Sequence, residues 1–195
     1  MKKISARDRL LDAAFDEVYT YGYAATSVDA ILKRAGVPKG SLYHHFGSKK
    51  SLVKAMVKER LFVKMDQFFR FEKDEGCSVY ESFRNTFVAM SKNRPLIEHG
   101  CPLYRLMVEL SPVDADFDRL INSKYHQMHE NLTSLLNQGI LEGEFDKSLD
   151  TKGFAAYMLS AVWGMLSLSP SLSSPKNFLY QSRFLLDELD RYRIK

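Results

Sequence analysis

The 195-residue chain reads as an all-α fold: three short helices at the N-terminus followed by a longer helical region. Three observations predict it. Apolar residues recur at three- and four-residue intervals, no stretch alternates like a strand for long, and only 10 Gly and 6 Pro interrupt a chain that is 45% hydrophobic. Such a chain has enough apolar material to bury a core unaided.

Ser5 and Asp8 have capping-box spacing, and Leu10, Leu11, Ala14, Phe15 and Val18 then mark one helical face up to Gly22. Thr26 and Asp29 repeat the capping signal, so a second helix carries Val28, Ile31, Leu32 and Ala35 until Gly36 ends it. After Gly36-Val37-Pro38 a third helix must fit before Gly47, with Leu42 and Phe46 turned inward and every other side chain left outside. Two short helices around a tight turn, the second with a polar outer face, form the pattern of a helix-turn-helix. Ser48 caps a long fourth helix through Leu52, Met56, Leu61, Met65 and Phe69.

Beyond it, Ser78 with Glu81 starts another helix, "KNRP" and "HGCP" interrupt, and Asp114 opens a long helix to Gly143. A last pair, about 150–168 and 176–192, is joined by the Ser/Pro-rich "SPSLSSP". The uncharged stretch Phe154–Leu168 is shorter than the roughly 20 residues a membrane span needs, and reads as a buried helix suited to a subunit interface. Ala161 and Gly164, small residues on that helix, are the expected points of close approach in a homodimer.

The charge is unevenly placed. Residues 1–50 hold nine Lys and Arg against five Asp and Glu, which is the whole of the net +4; the remainder of the chain is balanced. A basic N-terminal quarter is the footprint of a polyanion partner. Cys77 and Cys101 are too few and too far apart for a disulfide framework or a CxxC site, which points to a reducing cytoplasm. The basic start "MKKISARDR" lacks the apolar run of a signal peptide.

Residues 7–56 resemble the DNA-binding domain of the TetR family of bacterial transcriptional regulators. The resemblance rests on "AAFDEVYTYGYAATSVDAILKRAGVPKGSLYHHFGSKKSLVKAM", with an aromatic before Gly22, the Thr-Ser-Val helix start, Ile31, Ala35-Gly36-Val37, Gly40, Leu42-Tyr43, Phe46 and Ser48-Lys49 leading to Leu52. It implies a DNA-binding domain over 1–50 and an effector-binding and dimerisation domain over 51–195. It also implies a regulator, in most such proteins a repressor, that binds a palindromic double-stranded operator as a homodimer and is released by a small molecule or electrophile.

Lys39 and Gly40 are then expected nearest the bases, with Ser41, Tyr43, His44 and His45 around them. Thr26 and Lys49, at the starts of helices where unpaired amides favour an anion, are expected on phosphates. Leu32 departs from the small residue common at its position. Within the second domain Phe62, Tyr104, Met107, Tyr125 and Trp163 are aromatic or adaptable groups suited to line an effector pocket. "HGCPLYRLMVELSP" resembles an element of one branch of the family, some members of which respond to oxidants, so Cys101 beside His99 is a candidate sensor.

Other function classes have less support. An enzyme would have to use Cys101 and His99, but no third group in the sequence orients them and no phosphate-binding glycine loop is present. A membrane-surface protein would need a broad apolar face where the third helix is polar. His126, His129 and Glu130 have ligand spacing but read as a solvated face, so neither metal nor cofactor is expected.

Overall fold

A computed structural model describes residues 4–168 and 172–194. Eleven α-helices occur among the described residues: α1 (Ala6–Tyr21), α2 (Val28–Ala35), α3 (Lys39–Phe46), α4 (Lys49–Met56), α5 (Phe62–Phe68), α6 (Val79–Lys92), α7 (Arg94–His99), α8 (Pro102–Leu110), α9 (Ala115–Leu141), α10 (Thr151–Leu166) and α11 (Pro175–Asp190). One π-helical turn, Val57–Leu61, joins α4 to α5, so the long fourth helix expected from the sequence is continuous but carries a wide turn. No strand forms among the described residues; Phe145 and Arg193 make an isolated antiparallel bridge.

The boundaries follow local chemistry. Ser5 Oγ accepts the Asp8 N–H at the head of α1, Ser48 Oγ accepts that of Ser51 at α4, and Ser78 with Glu81 closes a reciprocal capping box at α6. At α2 the sequence expectation is off by one residue. Ser27, not Thr26, is the N-cap, its Oγ accepting the Ala30 N–H. Thr26 is instead buried and donates to the Gly22 carbonyl at 2.6 Å, bracing the turn that leads to the cap. Gly36 adopts the left-handed conformation (φ 61°) that ends α2, a backbone state available to glycine at no steric cost.

The chain forms two compact units, and they do not divide it at one point. The first comprises residues up to 67 together with 102–121; the second comprises 68–101 and 122 onward. The division at residue 50 is one of motif; in space α4, α5, α8 and the first turns of α9 fold with the N-terminal helices.

In the first unit α1 is the central element, packing on α2, α3 and α4. Its core is Leu10, Leu11, Ala14 and Val18 of α1 with Ile31, Leu42, Leu52, Val53 and Met56, all nearly inaccessible. In the second unit α6 packs on α11, and α10 lies against α11 and α7. Phe83, Phe87 and Phe178 fill its core, the latter two edge to face with centroids 6.4 Å apart. Gly100 (φ 77°) sits where a Cβ would lie 2.6 Å from the Leu166 carbonyl, so the α7–α8 corner requires glycine. No described helix is long and apolar enough to cross a membrane. Met1–Lys3 of the basic start and 169–171 of the Ser/Pro-rich linker lie outside the described residues.

Candidate nucleic-acid interface

α3 presents one apolar contact inward and a polar face outward. Leu42 is fully buried and Phe46 half-buried beneath the Arg7 guanidinium, 5.4 Å from its ring centroid. Lys39, Gly40, Tyr43, His44 and His45 are exposed and Ser41 is half-exposed. Tyr43 keeps 51% of its surface in solvent, and the His44 and His45 rings meet edge-on at 4.9 Å. Nothing lies within 4 Å of a Cβ built on Gly40, so the backbone there is open to close approach. An eight-residue helix carrying this many donors on its free side matches the width and hydrogen-bonding character of the DNA major groove.

Arg9 holds the other end of the motif. Its Nη1 donates to the Ala35 and Gly36 carbonyls, two of the groups left unsatisfied at the C-terminus of α2. Arg34 pairs with Glu17 at 2.6 Å, tying α2 to α1. The α2–α3 pair is thus fixed by α1 from both sides.

Lys49 has partners within the fold. Its ammonium turns inward, donating to the Tyr23 carbonyl at 2.6 Å and lying 4.2 Å from the Tyr23 ring centroid. Burial pulls its pKa below the ordinary lysine value, an effect opposed by the nearby Glu109 carboxylate. Thr26 is likewise spent within the fold. Both side chains thus brace the turn between α1 and α2.

Sequence reasoning missed the group that holds this turn. Tyr23 and Ala24 donate their N–H groups to the two oxygens of Glu109, at 2.8 and 2.6 Å, and Arg105 Nη1 donates to the carbonyls of Tyr19 and Thr20. Lys50 pairs with Asp114 and Lys54 with Asp116, so α4 is tied to the start of α9 as well. These contacts join residues 62 to 86 apart in sequence, a separation at which periodicity carries no signal.

The candidate effector residues are divided between the units. Phe62, Tyr104 and Met107 belong to the first; His99, Cys101, Tyr125 and Trp163 belong to the second. There Tyr125 and Trp163 meet at 5.5 Å, and Tyr125 stacks on His129, whose Nε2 lies 3.0 Å from the Lys152 carbonyl. Cys101 is 2% exposed whereas His99 is exposed. On α10, Gly164 is exposed and Ala161 half-exposed in a groove with Tyr157, Met165, Gln181, Phe184 and Leu185.

These features define a helix-turn-helix nucleic-acid-binding protein with a helical second domain. Residues 10–56 match the family model for bacterial regulatory proteins of the tetR family, and residues 81–182 match the tetracyclin repressor-like C-terminal domain. The chain belongs to the TetR family of transcriptional regulators. It is 27% identical over 170 residues to the HTH-type transcriptional repressor ComR of Escherichia coli, covering 84% of this chain and 79% of that one. It is 29% identical over 164 residues to the transcriptional repressor KstR2 of Mycobacterium tuberculosis, covering 82% and 78%. A solved TetR transcriptional regulator from Chloroflexus aurantiacus shares the fold with a TM-score of 0.85 over 97% of both chains, at 21% identity.

Proposed function

We propose that this regulator is a repressor that binds a palindromic operator as a homodimer and is released when a small molecule occupies its second domain. The observation that carries the reading is α3: Leu42 is sealed in the core while Lys39, Ser41, Tyr43 and His44 stand outside it. Lys39 and Gly40, at the N-terminal end, are assigned to base edges; Tyr43, His44 and His45 are assigned to phosphates and base edges beside them. Thr26 and Lys49 act indirectly, by holding the turn ahead of α2. Repressors among the relatives, ComR and KstR2 included, support the direction of control.

The homodimer reading rests on α10 and α11. Tyr157 (49% exposed), Tyr180 (61%) and Phe184 (53%) leave a large apolar surface in water on these two helices, around Ala161 and Gly164. A second copy covering it would set two recognition helices at a fixed spacing, and a two-fold protein requires a palindromic site. The effector is assigned to the aromatic interior of the second unit, around Tyr125 and Trp163. Cys101 is too buried for ready thiolate chemistry and is read as core packing, in place of the redox sensor its sequence context suggests. A cytoplasmic location accompanies this reading.

The test is a band shift with a palindromic duplex from the gene's own upstream region, at a stated salt concentration. Retardation that survives excess non-specific DNA and is lost in Lys39→Ala with Tyr43→Ala is expected. Retardation unaffected by those changes removes α3 from the interface.

A further inference from the structure

We propose that Arg105 and Glu109 of α8 are positioning residues for operator binding, although they lie far outside the DNA-binding motif. The inference rests on the reading of α3 as the operator-contacting helix. The two side chains are one turn apart on one face of α8, and each is committed to the backbone of the same α1–α2 joint. Arg105 takes the carbonyls of Tyr19 and Thr20, at 2.9 and 3.1 Å. These are among the last carbonyls of α1, where a cation is favoured by the helix dipole. Glu109 takes the next two free amides, Tyr23 and Ala24, one on each carboxylate oxygen. Positive and negative prongs thus match the order of acceptors and donors along the backbone.

The fit is close. A Cβ on Gly22 would stand 3.2 Å from Glu109 Oε2, a tight contact, and 3.6 Å from Arg105 Nη2, and the φ of 87° is itself a state that favours glycine, so the prongs sit directly against the joint. Thr26 then donates to Gly22 and Lys49 to Tyr23, which carries the constraint onward to the cap of α2 and the start of α4. Because α3 packs on α2, α1 and α4, the angle at which α3 meets DNA is set by a joint whose polar partners come from α8. Loss of a prong leaves backbone groups of the joint without their charged partner while removing no group assigned to DNA.

The experiment compares the parent with Glu109→Gln and Arg105→Met in operator titrations over a range of salt. Each variant is expected to weaken operator binding by roughly tenfold or more, the scale of a lost charge-assisted hydrogen bond. Affinity for non-specific duplex and the slope of log affinity against log salt should be unchanged, because no phosphate contact is removed. A purely structural role would instead lower the melting temperature and weaken specific and non-specific binding alike, which overturns the proposal. So does a folded Glu109→Gln protein that binds operator like the parent.

Should either variant fail to fold, hydrogen exchange on the parent decides. Amides of Tyr23 and Ala24 are expected to be protected roughly a hundredfold or more, as for native hydrogen bonds opening against a few kcal/mol; exchange at the unprotected rate overturns the proposal. A parent that binds no duplex but protects these amides refutes the DNA-binding reading and, with it, the positioning role, while leaving the grip on the joint intact.

Discussion

In the first unit most ion pairs join elements distant in sequence, whereas in the second most join residues within four positions of each other. Arg7 meets Glu59, Arg60 meets both Asp8 and Asp12, and Lys50 and Lys54 meet Asp114 and Asp116. Against these the second unit sets Arg94–Glu98, Arg183–Asp187, Arg191–Glu188 and Arg193–Asp190, with Lys73–Glu142 as a long-range pair and Glu144 accepting the N–H groups of Val79 and Tyr80. Helix length supplies the reason. α2, α3 and α4 have eight residues each, too few to be stable alone or to bury much apolar surface. The second unit contains α6, α10 and α11, of 14 to 16 residues, and a run of aromatic contacts from Phe69 through Phe71 to Phe83. On the proposed function, the part that presents one rigid face to DNA uses directional polar links. The part to which the effector is assigned uses apolar packing, which re-forms at lower cost.

The largest expected effect tests the apolar half. Phe83 is fully buried, and Phe83→Ala should cost about 3–5 kcal/mol in urea unfolding, the range for removing a core aromatic. That is a large share of the total stability of an ordinary domain. A loss well under this range would mean that polar contacts, here too, carry the fold.

Gly164→Leu comes next. In a single chain a Cβ at Gly164 meets nothing within 4 Å, so the subunit itself should fold as before. In a dimer the added branch is overpacked, a penalty of about 1–3 kcal/mol per site. Light scattering after size exclusion should therefore show the dimer weakened with the circular dichroism spectrum unchanged. A dimer as tight as the parent moves the interface off α10.

Acid should separate the units. Asp8 is held below the usual carboxylate range by Ser5 and then Arg60, Glu59 by Arg7, Asp114 by Lys50 and Asp116 by Lys54. Carboxylates with lowered folded pKa values contribute stability that is present above their unfolded values and lost as pH falls through the folded ones. In the second unit the lowered groups include Glu81, held by the Ser78 cap, and Glu142, held by Lys73 and Gln138. Fewer of these links join separate elements. Below about pH 4, then, the first unit should loosen before the second. The single tryptophan, Trp163, reports the second unit alone. Helical circular dichroism should fall before Trp163 fluorescence changes; coincident curves would erase the contrast.

The same contrast explains what could be read in advance. Capping boxes, the Leu42/Phe46 pair and Gly36 are local signals, so the helices of the first fifty residues and the outward face of α3 were legible from spacing alone. The off-by-one cap at Ser27 arose because Thr26 and Ser27 are chemically equivalent until tertiary burial selects between them. Glu109, Arg105 and Asp116 resembled ordinary solvated charges, and Asp114 was legible as a helix start but not as a partner of Lys50, since these partners lie dozens of residues away. The π-turn at Val57–Leu61 likewise preserved the apolar spacing of Met56, Leu61 and Met65 closely enough to read as regular helix.

The smallest expected effect is at Lys49, and it bears directly on how rigid the polar half is. As a phosphate contact its loss would flatten the plot of log operator affinity against log salt by about 0.9 per contact, and by nearly twice that for a symmetric dimer. In the structure the amine is already engaged, donating to the Tyr23 carbonyl and lying over the Tyr23 ring, with burial lowering its pKa. Met in its place keeps the length of the stem and its contact with the ring but removes the charge. Lys49→Met should thus leave the slope almost unchanged and weaken binding only through a looser turn, by about threefold or less, the size of a partly exposed neutral-acceptor bond. A slope that flattens by the full amount would show the amine leaving Tyr23 for a phosphate when DNA arrives. The α1–α2 joint would then rearrange on binding, and the contrast between a rigid reading half and an adaptable sensing half would fail at its most polar point.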